Sequence, residues 1–361
     1  MKRWYAIFPC IAGLLLALFF VFTQPGSLTS DAGEYDALAH SILKGSYSLD
    51  GAPSMLREPG YPLFRAALIA FHVPLVGILI VQALLFAAIV WLVGDAVRRM
   101  EPKVGTFGMW AAACAYGLAI YAARHLLELF TAFLLAVVAW CWMRGIDTPT
   151  WKWRVLTIMS TAALLLTRMS FMLIPVAVIA VFTMRDKLRK DALKTVATRA
   201  LVSSLLLAAL LAPWIIRNGR TFGAWSITQR AGITLYARAL KAEAPWSTLG
   251  QSALSVVVGR SVVARTYPSA DPIIIQHWKD VWPAFATARA NASTDLEADA
   301  TLKSKAIGMI TSSLSVFMRY ALWSGVDAAR FLQFPSPFSP EFSVEGMFVP
   351  QAMQGPLSVF Q

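Results

Sequence analysis

Apolar positions along this chain come in long blocks separated by short polar connectors, a pattern that predicts helices apolar on nearly all sides rather than amphipathic ones. Seven blocks stand out, at residues 4–22, 75–95, 104–122, 126–143, 154–167, 169–184 and 198–216. Such helices are suited to face lipid and one another, because a helix satisfies its backbone groups internally. The first, Trp4 to Phe22, follows Lys2 and Arg3 and meets the requirement of about 20 residues for crossing a bilayer. The alternative, a signal peptide, is disfavoured: the run is long for its apolar region, and "TQPGSLTS" lacks a small-x-small cleavage site. An uncleaved anchor is expected.

Between the blocks the pattern changes. In the loop 23–74, Ala32 to Leu43 has helical spacing, with Asp31, Glu34 and Leu38 on one side of the helix. "GAPSMLREPGYP" breaks that helix, and Tyr61 to Phe71 predicts a second short helix lying at the membrane interface. After the seventh block, 217–305 is mixed and moderately polar, with no apolar run long enough to cross. Ile307 to Val326 has the length of a span, but Arg319 sits inside it, which disfavours insertion by about 2.5–3.5 kcal/mol. An interfacial helix is favoured there over an eighth span. The tail from Gln333 is rich in Pro and Ser and predicts no stable element.

The expected organisation is therefore an all-α polytopic membrane protein. Residues 1–216 form a transmembrane domain with its first extracytoplasmic loop at 23–74; then come an extracytoplasmic segment 217–305, a helix within 306–332 and a tail 333–361.

Composition strengthens the membrane reading: 57% of residues are apolar and 14% charged, against about a quarter charged in soluble proteins. The net charge of +12 does not indicate nucleic acid, because the basic residues concentrate in short connectors: Arg98, Arg99 and Lys103; Arg144, Lys152 and Arg154; and Arg185 to Arg199. Short loops rich in Lys and Arg stay cytoplasmic, so these and the N-terminus predict the orientation. Residues 23–74, the turns near Arg124 and Arg168, and 217–305 then face outward. Cys10, Cys114 and Cys141 fall within apolar runs, and the four histidines form no metal-binding spacing. No internal repeat or paired broken span supports a secondary transporter.

Charged residues at the outer ends of the spans carry the candidate chemistry: Asp31, Glu34, Asp36, Arg57, Glu58, Arg124, Glu128, Arg168 and Arg217. Solvated loop charges, snorkelling side chains or a Glu128–Arg168 ion pair would account for many of them. The functional alternative joins a carboxylate base to nearby cations beside a lipid-accessible groove. A carboxylate takes the proton of an attacking hydroxyl, and arginine stabilises a departing lipid phosphate through its permanently charged fork.

Three stretches carry a family resemblance. "SDAGEYDALAHSILKGSYS…REPGYPLFRAALIAF" resembles the first extracytoplasmic loop of GT-C superfamily glycosyltransferases, in the branch of protein O-mannosyltransferases and lipid A aminoarabinose transferases. "ELFTAFLLAVVAW…ALLLTRMSFMLIP" is similar to that family's Glu-led span and "LTRP" turn, and "APWIIRNGRTFGAWSITQRAGITLYA" to its "PWxxRNxxxFG" segment. The resemblance covers about residues 1 to 240. Departures are Glu58 and Met169, where proline is usual, and Gly219, where an aromatic is frequent. Family members also continue with further spans beyond a segment like 306–332, so the chain has the look of a truncated or degenerate member.

The resemblance implies a GT-C-like transmembrane helix bundle of the bacterial inner membrane with its active site on the outer side. It would transfer a sugar, with inversion, from a polyprenyl-phosphate donor to a protein, lipid or glycan acceptor. Asp31 matches the family's catalytic acid, with Glu34 its rival. Arg57, Arg168 and Arg217 are the candidate phosphate ligands, and Tyr35, Glu58, Tyr61, Glu128 and Asn218 are acceptor-site or structural residues. No metal-ligating set is expected, although loop carboxylates and phosphate oxygens together would suit a divalent cation; this branch generally needs none. The alternative is a non-catalytic protein that binds or assembles lipid-linked sugars.

Overall fold

The computed structural model describes residues 7–332 apart from Ser27, Thr29, Ser30, Asp50, 259–262, 264–265 and 268–269. The tail 333–361 and the first residues of the initial apolar block lie outside the described residues. Among the described residues the chain is almost wholly helical, its one sheet being a two-stranded antiparallel ribbon of β1 (Ser48–Leu49) and β2 (Ala52–Pro53). Two compact units divide after Thr228.

The first unit begins with α1 (Ile7–Thr23), followed by the loop helices α2 (Asp31–Leu43) and α3 (Gly60–Ala70) on either side of the ribbon. Then come α4 (Leu75–Met100), α5 (Gly105–Ala113), α6 (Tyr116–Ile120), α7 (Glu128–Asp147), α8 (Trp151–Thr167), α9 (Ile174–Leu188) and α10 (Leu193–Phe222). Four helical segments are long and apolar enough to cross a membrane: α4, α7, 169–188 and α10. The pair formed by α5 and 116–123, bent by 49°, makes a fifth if it is one span. Leu134 and Val138 of α7, Ile158 and Leu164 of α8, and Val178 and Phe182 of α9 form a buried apolar core.

Several boundaries differ from the sequence expectation. The block 104–122 is broken at Cys114–Ala115 rather than continuous. The block 154–167 belongs to a helix of 17 residues, α8, and 169–184 opens with a 3-10 turn over Met169–Phe171. Most consequentially, the helix of the seventh apolar block, α10, extends past residue 216 to Phe222, so Arg217 and Asn218 are helical instead of belonging to the following loop. Its end is set by Gly223 in the left-handed region at φ 72°, the usual way to satisfy the last carbonyls of a helix.

Ion pairs divide the bundle into two ends. At one, Asp95 accepts from Arg98, Arg99, Arg144 and the Trp140 indole, while Asp186 pairs with Arg154 and Arg199. The predicted basic connectors thus converge with their acids around buried carboxylates. The opposite end carries α2, α3 and the turns near 124–127 and 168–173.

The second unit contains α11 (Ala231–Glu243), α12 (Trp246–Val258), α13 (Ala270–Ala290), α14 (Asp295–Thr311) and α15 (Leu314–Leu332). Buried Asp299 accepts from the Gly232 and Ile233 amides at 3.0 and 2.9 Å, capping the start of α11 with an anion where the helix dipole favours one. Residues 307–326 are not one helix, because the chain breaks at Ser312–Ser313 between α14 and α15.

Candidate functional site

Helix α2 starts at Asp31, which puts Asp31 and Glu34 one turn apart on one face. Both reach the same guanidinium. Arg57 donates through Nε to Glu34 Oε2 at 2.6 Å and through its terminal nitrogens to both Asp31 oxygens, one of them at 3.2 Å. The cation is the buried partner: the Arg57 side chain is 4% exposed, against 46% for Asp31 and 38% for Glu34. An ionised carboxylate offers about four lone-pair sites, so Asp31 keeps acceptor capacity facing outward.

The wall behind this cluster is aromatic. Arg57 lies over the Tyr35 ring, 5.2 Å from its centroid, and its Nη1 is 3.5 Å from the Tyr35 hydroxyl. Tyr35 meets Tyr61 edge to face, and both are buried with Leu127 among Phe64, Leu126 and Phe130. Burial, reinforced by the charges of Asp31, Glu128 and Glu58, pushes the Tyr35 phenol up despite the opposing pull of Arg57. Tyr35 therefore serves as packing and as a neutral hydrogen-bonding wall, not as a base.

Arg168 and Glu128 form a looser pair on the same side of the bundle. Their closest approach is 3.5 Å, with Arg168 38% and Glu128 35% exposed. The Glu58 carboxylate accepts from the neighbouring Met169 amide at 3.2 Å.

Arg217 is occupied differently. It donates to the carbonyls of Ser54 and Tyr47 at 2.7 and 2.9 Å and to Asn218 Oδ1 at 2.8 Å. Its guanidinium also lies against Tyr47, Trp214 and Phe222. Fully buried Asn218 donates in turn to the Ser226 and Ile227 carbonyls at 2.8 and 3.0 Å. These two residues tie α10 to the ribbon and to the chain that follows. An open cleft of about 640 Å³ beside them is lined by Ser46, Tyr47, Trp214 and Arg217, and does not reach Asp31, Glu34 or Arg57.

Among the described residues, no group of three His, Cys, Asp or Glu side chains is arranged to hold a metal ion.

A second charged cluster went unrecognised in the sequence. Arg65, wholly buried on α3, pairs with Asp36 and donates to His125 Nδ1 at 3.0 Å. Because arginine only donates, that nitrogen is unprotonated and the His125 proton sits on Nε2. Tyr61 and Gln82 complete the polar seam: Tyr61 donates to Gln82 Oε1 at 3.3 Å, and Gln82 donates to the Arg124 carbonyl at 2.6 Å. Of Arg65, Asp36 and His125 the sequence singled out Asp36 alone, and the signal for Arg65 was an arginine interrupting the apolar face of "YPLFRAALIAF".

His125 supports a pH prediction. Burial first, and then Arg65, lower its pKa from the ordinary 6.5 to about 4, against the opposing effect of Asp36. The folded protein thus holds His125 neutral over a range in which the unfolded chain takes up a proton. Stability from this residue is present above about pH 6.5 and is lost as pH falls toward 4. Thermal unfolding in detergent should show a falling Tm across that window, with a shallower fall in His125→Asn.

The chain matches no protein-family model, no curated protein and no solved structure.

Proposed function

We propose that this protein is an integral membrane glycosyltransferase of GT-C type, acting on a polyprenyl-phosphate sugar at the outer face of a bacterial inner membrane. The observation that carries the reading is the pair of half-exposed carboxylates, Asp31 and Glu34, gripped by one buried arginine at the bundle end that also presents Arg168. Two further features support a bilayer setting. Helix α1 exposes Phe8, Ile11, Leu15, Phe19 and Phe22, an unbroken apolar stripe of a kind that soluble monomers rarely leave uncovered. The opposite end concentrates the arginines of short connectors, a distribution that supports a cytoplasmic setting for it.

In the proposed reaction an acceptor hydroxyl attacks the anomeric carbon as Asp31 takes its proton. The new carbon–oxygen bond forms while the anomeric bond to the phosphate oxygen breaks. Its electron pair leaves with the polyprenyl phosphate, and attack from the opposite side inverts the configuration. Arg57 orients the carboxylates and does not meet the phosphate, since its nitrogens are directed at Asp31 and Glu34. Arg217 is likewise held by main-chain carbonyls. That leaves Arg168, with its single long ion pair, as the cation best able to turn toward the leaving group.

The occupied state of Asp31 favours a second reading, in which the same surface holds a lipid-linked sugar without turnover. Photolabelling locates the site in either case. A polyprenyl-phosphate sugar with a photoreactive lipid, offered to the protein in liposomes, should mark peptides around residues 31–65 and 168–173. Labelling confined to residues 229–332 would contradict both readings.

A further inference from the structure

Glu58 and Met169 stand 111 positions apart, yet the Glu58 carboxylate accepts the Met169 amide at 3.2 Å. That amide is the first of the 3-10 turn over Met169–Phe171, and it follows immediately on Arg168. Gly60, two residues after Glu58, strengthens the contact. A Cβ on Gly60 would lie 2.8 Å from the Thr167 amide nitrogen and 2.9 Å from the Leu166 carbonyl carbon, so only glycine lets the two main chains approach this closely. On the other side, the Tyr47 hydroxyl donates to the Arg57 and Glu58 carbonyls at 3.0 and 3.2 Å. The segment 57–60 is thereby gripped at Arg57 by the α2 carboxylates, at its carbonyls by Tyr47, and at Glu58 and Gly60 by the end of α8.

We propose that Glu58 is a positioning residue that couples the two halves of the site. By holding the Met169 amide it fixes the turn carrying Arg168 relative to the segment carrying Arg57. Among the described residues the Arg168 side chain has no comparably short anchor, its pairing with Glu128 being 3.5 Å. Its backbone is extended, at φ −154° and ψ 104°, where α8 ends. The Glu58 contact thus sets where the Arg168 guanidinium emerges. This inference rests on the transferase reading for the ligand, a lipid phosphate monoester, but not for the contact itself.

The test uses the full chain in nanodiscs with two readouts: hydrogen exchange of the segment 166–173, and the Kd for polyprenyl phosphate. Glu58→Ala should speed exchange at Met169 and weaken binding on the order of tenfold, the effect of misplacing one charge-assisted contact. Glu58→Gln, which keeps the accepting oxygen, should restore most of both. In an Arg168→Ala background, Glu58→Ala should add little further loss. Unchanged Met169 exchange in Glu58→Ala would overturn the inference, as would a binding loss that persists in full without Arg168. Wild-type protein that binds no polyprenyl phosphate would instead overturn the transferase reading and the ligand half of this inference together, with exchange still deciding whether Glu58 holds the turn.

Discussion

Asparagine in place of Asp31 is expected to slow polyprenyl phosphate release by about 10²–10⁴-fold, the usual contribution of a positioned general base. The substitution keeps the side chain's shape and one oxygen to accept from Arg57, so folding should survive it. Glu34→Gln tests the rival carboxylate. Glu34 receives the Arg57 Nε bond at 2.6 Å, whereas Asp31 is the more exposed of the two and is bridged by both terminal nitrogens. The expected loss for Glu34→Gln is therefore smaller, about tenfold or less, through looser positioning of Arg57 rather than loss of a base. Single-turnover rates for the two variants decide the assignment. A larger loss in Glu34→Gln than in Asp31→Asn would transfer the role of base to Glu34.

The largest stability effect is expected at Arg65. Its side chain is fully buried and satisfies Asp36, itself only 17% exposed. Arg65→Ala takes away the buried cation of that carboxylate and opens a cavity beside Tyr61, and breaking a buried pair in this way costs about 3–5 kcal/mol. Removing both charges together should be far milder, because the penalty comes chiefly from the carboxylate left with only the exposed His40 ring, 3.4 Å away. Arg65→Met combined with Asp36→Asn is thus expected to recover most of the loss. Denaturant unfolding in detergent micelles measures both variants. A cost below about 1 kcal/mol for Arg65→Ala would mean that water reaches Asp36 and that the cluster is solvated.

Asp31 and Arg65 differ in how far the chain itself reveals their surroundings. Helical spacing placed Asp31 and Glu34 on one side of a helix, and α2 begins and ends within a residue of the expected span. What spacing could not supply was their common partner, since the Arg57 contact spans 26 positions from Asp31 and 23 from Glu34. Arg65 was missed for a related reason. One arginine on a short amphipathic helix ordinarily snorkels to water, and only the tertiary approach of Asp36 and His125 makes burial tolerable.

Helix ends were obscured because apolar content and helicity part company at the ends of the apolar runs. The apolar run stops at Ile216, but the helix continues through Arg217, Asn218 and Arg220 until Gly223 ends it. Conversely, the breaks at Cys114–Ala115 and Ser312–Ser313 fall inside apolar or mixed runs where hydropathy does not change. Glu58 and Met169 looked like two unrelated departures from a proline-rich pattern. Proline at 169 would have no amide to donate, and the contact between the two residues gives both departures one physical account.

The role of Asp31 is measured most directly by release of polyprenyl phosphate from a panel of polyprenyl-phosphate sugars by the protein in liposomes, with Asp31→Asn run alongside. Release from at least one donor by the wild-type protein, and its near disappearance in the variant, are the expected results. Release at equal rates from both proteins, or lipid binding without release from any donor, would contradict that role.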